Sequence, residues 1–129
     1  MPLDDLCKNK IFKDVPRYEE IKEDPHVMEL FSSIFTGMSG RFTRMRILCA
    51  ITEDPMNTLE ISKKLNLDYK TIQHNIKVLE SNGLIVREGE GYGDLFFPSE
   101  LLSSNLPTLY KVIRNVEMKL EKSKKKYIE

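Results

Sequence analysis

The sequence predicts a mostly helical α+β fold with one small β-hairpin. Apolar residues recur at intervals of three and four along much of the chain, which is the spacing of amphipathic helices. Two short β-prone runs flank a glycine-rich link at residues 88–93, a pattern typical of a hairpin. Hydrophobic residues make up 40% of the 129 residues and charged residues 31%, an ordinary globular composition with room for one domain and additional helices.

The charge is balanced overall but uneven along the chain. Residues 1–40 contain five basic and eight acidic residues, residues 41–87 contain eight and five, and residues 88–129 contain seven of each. A net positive middle segment favours an anionic partner there. The longest apolar run, Ile47 to Ile51, is far shorter than the roughly 20 residues of a membrane span. The acidic start lacks the apolar stretch of a secretory signal. These features predict a cytoplasmic protein without a membrane segment.

Residues 1–40 are predicted to form a polar arm followed by a helix. Asp24-Pro25 is typical of a helix start, with Asp at the N-cap and Pro at the first helical position. A second helix is predicted from about Thr43 to a point before Pro55. The apolar residues of the two helices are Val27, Met28, Leu30, Phe31, Ile34 and Phe35, and then Met45, Ile47, Leu48 and Ile51.

Two further helices separated by a short turn are predicted between residues 57 and 83. Asn57 and Glu60 have the spacing of a capping box, which starts a short helix that ends near Asn66. Asp68 can cap the next helix, which runs from Tyr69 to about Ser81 before Asn82-Gly83 ends it. The inward side chains of the shorter helix are predicted to be Leu59, Ile61 and Leu65.

The helix at 69–81 has two faces of different chemistry. At 100° per residue, Ile72, Ile76 and Leu79 lie within about 60° of one another and form the core face. The opposite side consists of polar and basic residues that are offered to something outside the domain: Lys70, Gln73, His74, Lys77 and Ser81.

A hairpin and a long helix complete the predicted fold. The hairpin consists of residues 84–87 and 94–98 on either side of the glycine-rich link. Apolar residues then recur every three or four positions, which predicts an amphipathic helix from Thr108 to roughly Lys124. Helix, short turn, helix and hairpin in this order form a winged helix-turn-helix, here with additional N- and C-terminal helices.

Several local motifs resemble the ArsR-type winged-helix regulators that are common in archaea. They are Asp68-Tyr69-Lys70-Thr71 at the start of the recognition helix and Asn82-Gly83-Leu84-Ile85 at its end. They also include Gly91-Tyr92-Gly93 with Phe96-Phe97-Pro98-Ser99 in the wing, and Arg44-Met45-Arg46-Ile47-Leu48 in the first core helix. The resemblance covers about residues 40–103. It implies a domain at 41–103 that binds double-stranded DNA, between an arm and helix at 1–40 and a helix at 104–129.

The chemistry of the outward residues agrees with what the resemblance implies. A helix fits the major groove of B-DNA, where Gln73 has the paired donor and acceptor that adenine reading requires. Lys70 lies in the first helical turn, where backbone N–H groups already favour a phosphate. The predicted DNA-binding residues are Tyr69, Lys70, Thr71, Gln73, His74, Lys77, Arg87 and Tyr92.

The chain departs from the family pattern at two places. Relatives usually have His at the position of Asn75, which the helical wheel places toward the flank of the outward face. The wing contains Glu88, Glu90 and Asp94, which repel phosphate and argue against deep insertion of the wing into a groove. Arg41, Arg44 and Arg46 have two open interpretations, as phosphate clamps or as residues of the helix surface.

The sequence predicts no metal site, cofactor or catalytic residue. ArsR relatives often sense metals through Cys pairs or His/Asp clusters, but Cys7 stands alone in the arm and Cys49 lies within an apolar run. His26 and His74 have no ligand partner at helical spacing. The chain also lacks a phosphate-binding loop, a Gly-x-Ser-x-Gly motif and a dinucleotide fingerprint.

The apolar stripes of the terminal helices have two interpretations. They can be core, but a winged helix is complete without them, and ArsR-type relatives use their terminal helices for dimerisation. We therefore predict a homodimer on a pseudo-palindromic operator, because one small module rarely binds specific DNA tightly. The predicted interface residues are Phe31, Ile34, Phe35, Leu109, Val112, Ile113, Val116 and Leu120.

The function predicted from the sequence is that of a sequence-specific, DNA-binding transcription regulator. The alternative is a winged-helix adaptor that binds other proteins in a transcription complex, which the zero net charge and the acidic wing also fit. The sequence does not identify a small-molecule effector.

Overall fold

Helices dominate the architecture, and a two-stranded hairpin follows the fourth of them. The computed structural model describes residues 10–16, 21, 24–35, 40–89 and 94–128, without the side chains at positions 10, 41, 117 and 120–128. After a 3₁₀ turn at Lys10–Phe12, the elements are α1 Pro25–Phe35, α2 Arg41–Glu53, α3 Thr58–Leu65, α4 Tyr69–Ser81, β1 Ile85–Glu88, β2 Leu95–Pro98, α5 Glu100–Ser104 and α6 Leu106–Ile128. The predicted fold class, a mostly α fold with a hairpin wing, is confirmed.

Local capping determines where the central helices begin and end. Asp24 accepts hydrogen bonds from the backbone N–H groups of His26 and Val27, so it caps α1 as predicted. Asn57 and Glu60 form the reciprocal bonds of the predicted capping box at the start of α3. Gly83, with φ of 76°, supplies the left-handed residue after α4.

The hairpin is anchored to the helical body through one of its faces. Its strands pair antiparallel, with Ile85 opposite Pro98 and Arg87 opposite Phe96. Ile85 and Phe96 are buried, and the backbone N–H of Phe96 also donates to the carbonyl of Met56, which forms an isolated bridge beside β2. The hairpin therefore has a fixed position beside α4.

The terminal helices pack against each other and on the central helices within one chain. Helix α1 contacts both α2 and α6, and a single hydrophobic cluster contains side chains from residues 11–116. Seven of the predicted interface residues are at most 6% exposed there: Phe31, Ile34, Phe35, Leu109, Val112, Ile113 and Val116. The side chain of Leu120 lies outside the described residues. The described part of the two apolar stripes is thus core of the single chain, and the homodimer stays a prediction.

The helices differ from the sequence-based expectations at three points. Helix α6 begins at Leu106 rather than Thr108, because Pro107 fits the first helical turn, where its missing N–H is not needed. The short α5 was not expected, since five residues are too few to show helical periodicity. Leu59, expected to face inward, is 49% exposed in the first turn of α3. None of the helices in the described ranges contains an apolar stretch that could span a lipid bilayer.

The burial of the apolar residues of α6 predicts that they stabilise the single chain and not a contact between subunits. Replacement of Ile113 by Ala leaves a cavity in the core and should lower the free energy of unfolding by about 2–4 kcal/mol. Met118→Ala on the same helix, where the side chain is 38% exposed, should change it by less than about 0.5 kcal/mol. Urea denaturation measures both variants. A loss for Ile113→Ala that appears only at protein concentrations where the chain dimerises would contradict packing within one chain.

Candidate nucleic-acid interface

Helix α4 presents a polar, cationic face to solvent. Asp68 caps the helix by accepting from the backbone N–H groups of Lys70 and Thr71, and Ile72, Ile76 and Leu79 are at most 2% exposed on the core side. The side chains predicted to contact DNA are all exposed on this helix: Tyr69, Lys70, Thr71, Gln73, His74 and Lys77. No exposed side chain of α4 is a carboxylate, which makes this face suitable for an anionic surface.

Arg87, one of the predicted DNA-binding residues, is ion-paired within the fold. Its Nε and Nη2 donate to the two carboxylate oxygens of Glu80 at 2.8 and 2.9 Å, and its Nη1 donates to Asp94 at 3.3 Å. The guanidinium also lies 5.2 Å from the ring centroid of Phe96. Hydrogen bonding to Glu80 raises the pKa of Arg87. Two carboxylates thus neutralise Arg87, and the residue ties the hairpin to the end of α4.

Tyr92 lies outside the described residues, so its predicted contact has no structural account. The acidic wing residue Asp94 is 6% exposed and is held by Arg87 rather than offered to solvent. One of the three wing carboxylates that argued against an approach to phosphate is therefore buried in an ion pair, although Arg87, Glu80 and Asp94 together keep one net negative charge.

Arg44 and Arg46 are held by hydrogen bonds within the fold. Arg44 donates to the carbonyl of Ile34 at 2.8 Å and to Oδ1 of Asn75 at 3.1 Å, and burial lowers its pKa. Arg46 donates to the carbonyl of Leu65 at 3.0 Å, one of the carbonyls that a helix end leaves unpaired. Both arginines connect α2 to neighbouring elements.

The placement of Asn75 corrects the sequence analysis. The helical wheel put this residue toward the flank of the outward face, but its side chain is 3% exposed. Its Nδ2 donates to the carbonyl of Thr71 at 2.9 Å while its Oδ1 accepts from Arg44. Asn75 therefore belongs to the contact between α2 and α4.

A cleft of about 410 Å³ lies at that contact, beside the exposed face of α4. Its lining consists of Gly40, Thr43, Lys70, Thr71, His74 and Asn75. Sequence reasoning had singled out three of these residues as DNA contacts, but it missed the contribution of Gly40 and Thr43. The available signal was the glycine immediately before α2, since glycine is typical where backbone approaches another group closely.

One family model matches the chain from residue 36 to residue 114, more than half of its length. The family is described as the N-terminal domain of the methanogenesis regulatory protein FilR1. The chain belongs to this family. A comparison with curated proteins found no match. The matched segment of this FilR1 N-terminal domain contains the whole helix-turn-helix, the hairpin and the cleft. The match does not show an ArsR-type relationship, which stays a prediction.

The described part of this FilR1-family domain offers no cluster of three or more His, Cys, Asp and Glu side chains that could hold a metal ion. Cys49 is 6% exposed, and burial together with the nearby Glu53 carboxylate raises its pKa to about 12. A thiol with so high a pKa is almost entirely protonated near neutral pH, so Cys49 lies in the core as a buried, neutral thiol. Cys7 lies outside the described residues.

The contacts of Arg87 predict a structural effect. Arg87→Ala leaves the buried Asp94 without this donor, and it should lower the free energy of unfolding by about 1 kcal/mol, a modest value because Arg87 is nearly half exposed. Arg87→Lys keeps the charge without the paired geometry and should lose less. Urea denaturation measures both. Unchanged stability of Arg87→Ala, together with weaker DNA binding, would instead make Arg87 a phosphate contact.

The protonated, buried state of Cys49 predicts low reactivity. In a Cys7→Ser background at pH 8, Cys49 should react with Ellman's reagent more than about 100-fold slower in the folded chain than in urea. The absorbance of the released thiolate measures the rate. Similar rates in the two conditions would show that the thiol is accessible and ionised in the folded protein.

Proposed function

We propose that the chain is a sequence-specific, double-stranded DNA-binding transcription regulator that inserts α4 into the major groove. The observation that supports this most strongly is the exposed face of α4, where polar and cationic side chains lie opposite a fully buried apolar face. An α-helix fits the major groove of B-DNA, and exposed side chains of a recognition helix contact base edges and phosphates there. The regulatory family supports the same reading.

The residues of this face divide into two roles. Gln73 reads base edges, because its amide can donate and accept at once, as bidentate contact with adenine requires. Lys70 and Lys77 neutralise phosphates, since neither is engaged in an ion pair among the described residues. Arg87 is left out of the proposed contacts because Glu80 and Asp94 occupy its guanidinium.

The proposal includes a homodimer in the cytoplasm on a pseudo-palindromic operator. One module with few base contacts rarely reaches specific affinity alone, and two-fold symmetry would place half-sites about one helical turn apart. Because the apolar stripes of α1 and α6 are buried within one chain as far as their side chains are described, the contact between subunits would use other surfaces.

Salt dependence of duplex binding tests the proposed function. When a protein neutralises phosphates, the logarithm of its binding constant falls linearly with the logarithm of the salt concentration. The magnitude of the slope is close to the number of phosphates neutralised. Lys70→Gln and Lys77→Gln should each weaken binding to every duplex and reduce this slope by about one. Lys13→Gln, at an exposed position near the N-terminus, serves as the control. Fluorescence anisotropy with labelled duplexes measures the slopes at salt concentrations from about 50 to about 300 mM, on both sides of the physiological value of about 150 mM.

Gln73→Ala should reduce the difference in affinity between a selected duplex and a random one, while non-specific binding stays nearly unchanged. Equal affinity of the wild-type protein for all duplexes would contradict sequence-specific reading. If the wild-type protein shows no duplex binding at any salt concentration, the proposed function fails and the adaptor alternative is favoured.

A further inference from the structure

The cleft between α2 and α4 has a chemical character that suits an anion. Its described lining contains no carboxylate, and it includes the ammonium-bearing Lys70 and the hydroxyl-bearing Thr43 and Thr71. Neither hydroxyl has a hydrogen-bond partner among the described residues. Donors without partners, next to a cation and open to solvent, are available to an acceptor from outside the chain.

A second cation lies beside this cleft without a compensating carboxylate. Among the described residues, the partners of Arg44 are the carbonyl of Ile34 and the amide oxygen of Asn75, so its positive charge is not neutralised by an ion pair. Gly40 lies directly against this pair: a Cβ there would come within 2.7 Å of Oδ1 of Asn75 and 3.1 Å of Cζ of Arg44. The backbone of a glycine, rather than a side chain, thus covers the arginine at the edge of the cleft.

The cleft occupies one flank of the exposed face of α4. Lys70, Thr71 and His74 line it, whereas Gln73 and Lys77 do not. On the helical wheel Gln73 is about 160° and Lys77 about 120° away from Thr71. A DNA backbone that entered the cleft would therefore leave Gln73 directed toward the groove, as base reading requires.

We propose that this cleft binds one phosphodiester of the DNA backbone, and that Thr43 is a contact residue together with Lys70 and Thr71. The proposal rests on the proposed function, and it adds a contact from α2 to those of the recognition helix. The hydroxyls of Thr43 and Thr71 donate to the phosphate oxygens, Lys70 supplies the charge, and Arg44 raises the local positive potential. A contact from two helices fixes the register of α4 on the duplex.

A double-mutant cycle with modified DNA tests this contact. Thr43→Val removes the hydroxyl and keeps the side-chain shape, and it should weaken binding to every duplex about three- to tenfold without changing the salt slope, because no charge is lost. Thr52→Val on the same helix is the matched control, since Thr52 is exposed and its hydroxyl donates to the carbonyl of Leu48. Circular dichroism melting checks that both variants fold.

The DNA side of the cycle replaces single phosphates with neutral methylphosphonates along each strand. One replacement should weaken wild-type binding and have little further effect on Thr43→Val, which identifies the phosphate in the cleft. Two results would overturn the contact while leaving the proposed function intact. In the first, Thr43→Val binds DNA as tightly as the wild type. In the second, the loss of affinity caused by Thr43→Val adds fully to the loss caused by each methylphosphonate. Absence of duplex binding by the wild type would defeat the proposed function itself.

The donors of the cleft would also suit a free phosphate ion. Titration of the protein with inorganic phosphate alone, followed by calorimetry, should show no saturable binding that Thr43→Val removes. Such binding, with unchanged duplex affinity of the variant, would make the cleft a small-anion site and overturn the proposal.

Discussion

Burial of Ile72, Ile76 and Leu79 determines which residues of α4 a partner can reach. Each of these side chains is at most 2% exposed, and burial of one such side chain stabilises the fold by about 1.5–3 kcal/mol. Rotation of the helix about its axis would expose this face, so the rotation is strongly disfavoured. Because the helical period is fixed, the residues opposite the core face remain outside. Caps at Asp68 and Gly83 hold the two ends of the helix, so its polar face is presented in one orientation.

The basic residues divide between those that hold the fold together and those that remain available. Arg44, Arg46 and Arg87 each bind oxygen atoms of a neighbouring element, and the planar guanidinium is suited to such contacts because it offers several donors in a fixed geometry. Lys70 and Lys77 have no such partner among the described residues. A flexible ammonium group that stays in solvent can adjust to a phosphate whose position is set by another molecule. The distribution of arginine and lysine thus separates structural charge from charge available to a ligand.

Local chemistry made the central elements predictable from the sequence. The capping box at Asn57, the cap at Asp68 and the glycine at position 83 act within a few residues, so the bounds of α4 were predicted as Tyr69–Ser81, as the structure has them. The side-chain partners of Arg44 and Asn75 were not predictable in the same way, because the two residues are 31 positions apart and meet only after α2 and α4 pack. The ion pairs of Arg87 were not predictable for a related reason: Glu80 lies in α4 and Asp94 lies just before β2, each seven positions from Arg87.

The cleft shows the same limit of sequence reasoning at the site itself. Lys70 and Thr71 were found because they lie on a recognisable helix, whereas Thr43 reaches the site through the packing of α2 against α4. The apolar stripes of the terminal helices show a different limit. Their periodicity predicts an apolar face, but it does not distinguish a face buried within one chain from a face buried between two subunits. Packing of α1 on α6 shows that, in the single chain, the partner is another part of the same core.

The central claim is that the polar face of α4 contacts DNA, and lysine footprinting tests it most directly. The rates of acetylation at Lys70 and Lys77 are compared with the rate at Lys13, by mass spectrometry with and without a bound duplex. All three side chains are exposed in the free chain. The account predicts that the duplex protects Lys70 and Lys77 strongly and leaves Lys13 unchanged. Full reactivity of both α4 lysines in a complex that demonstrably contains DNA would contradict it.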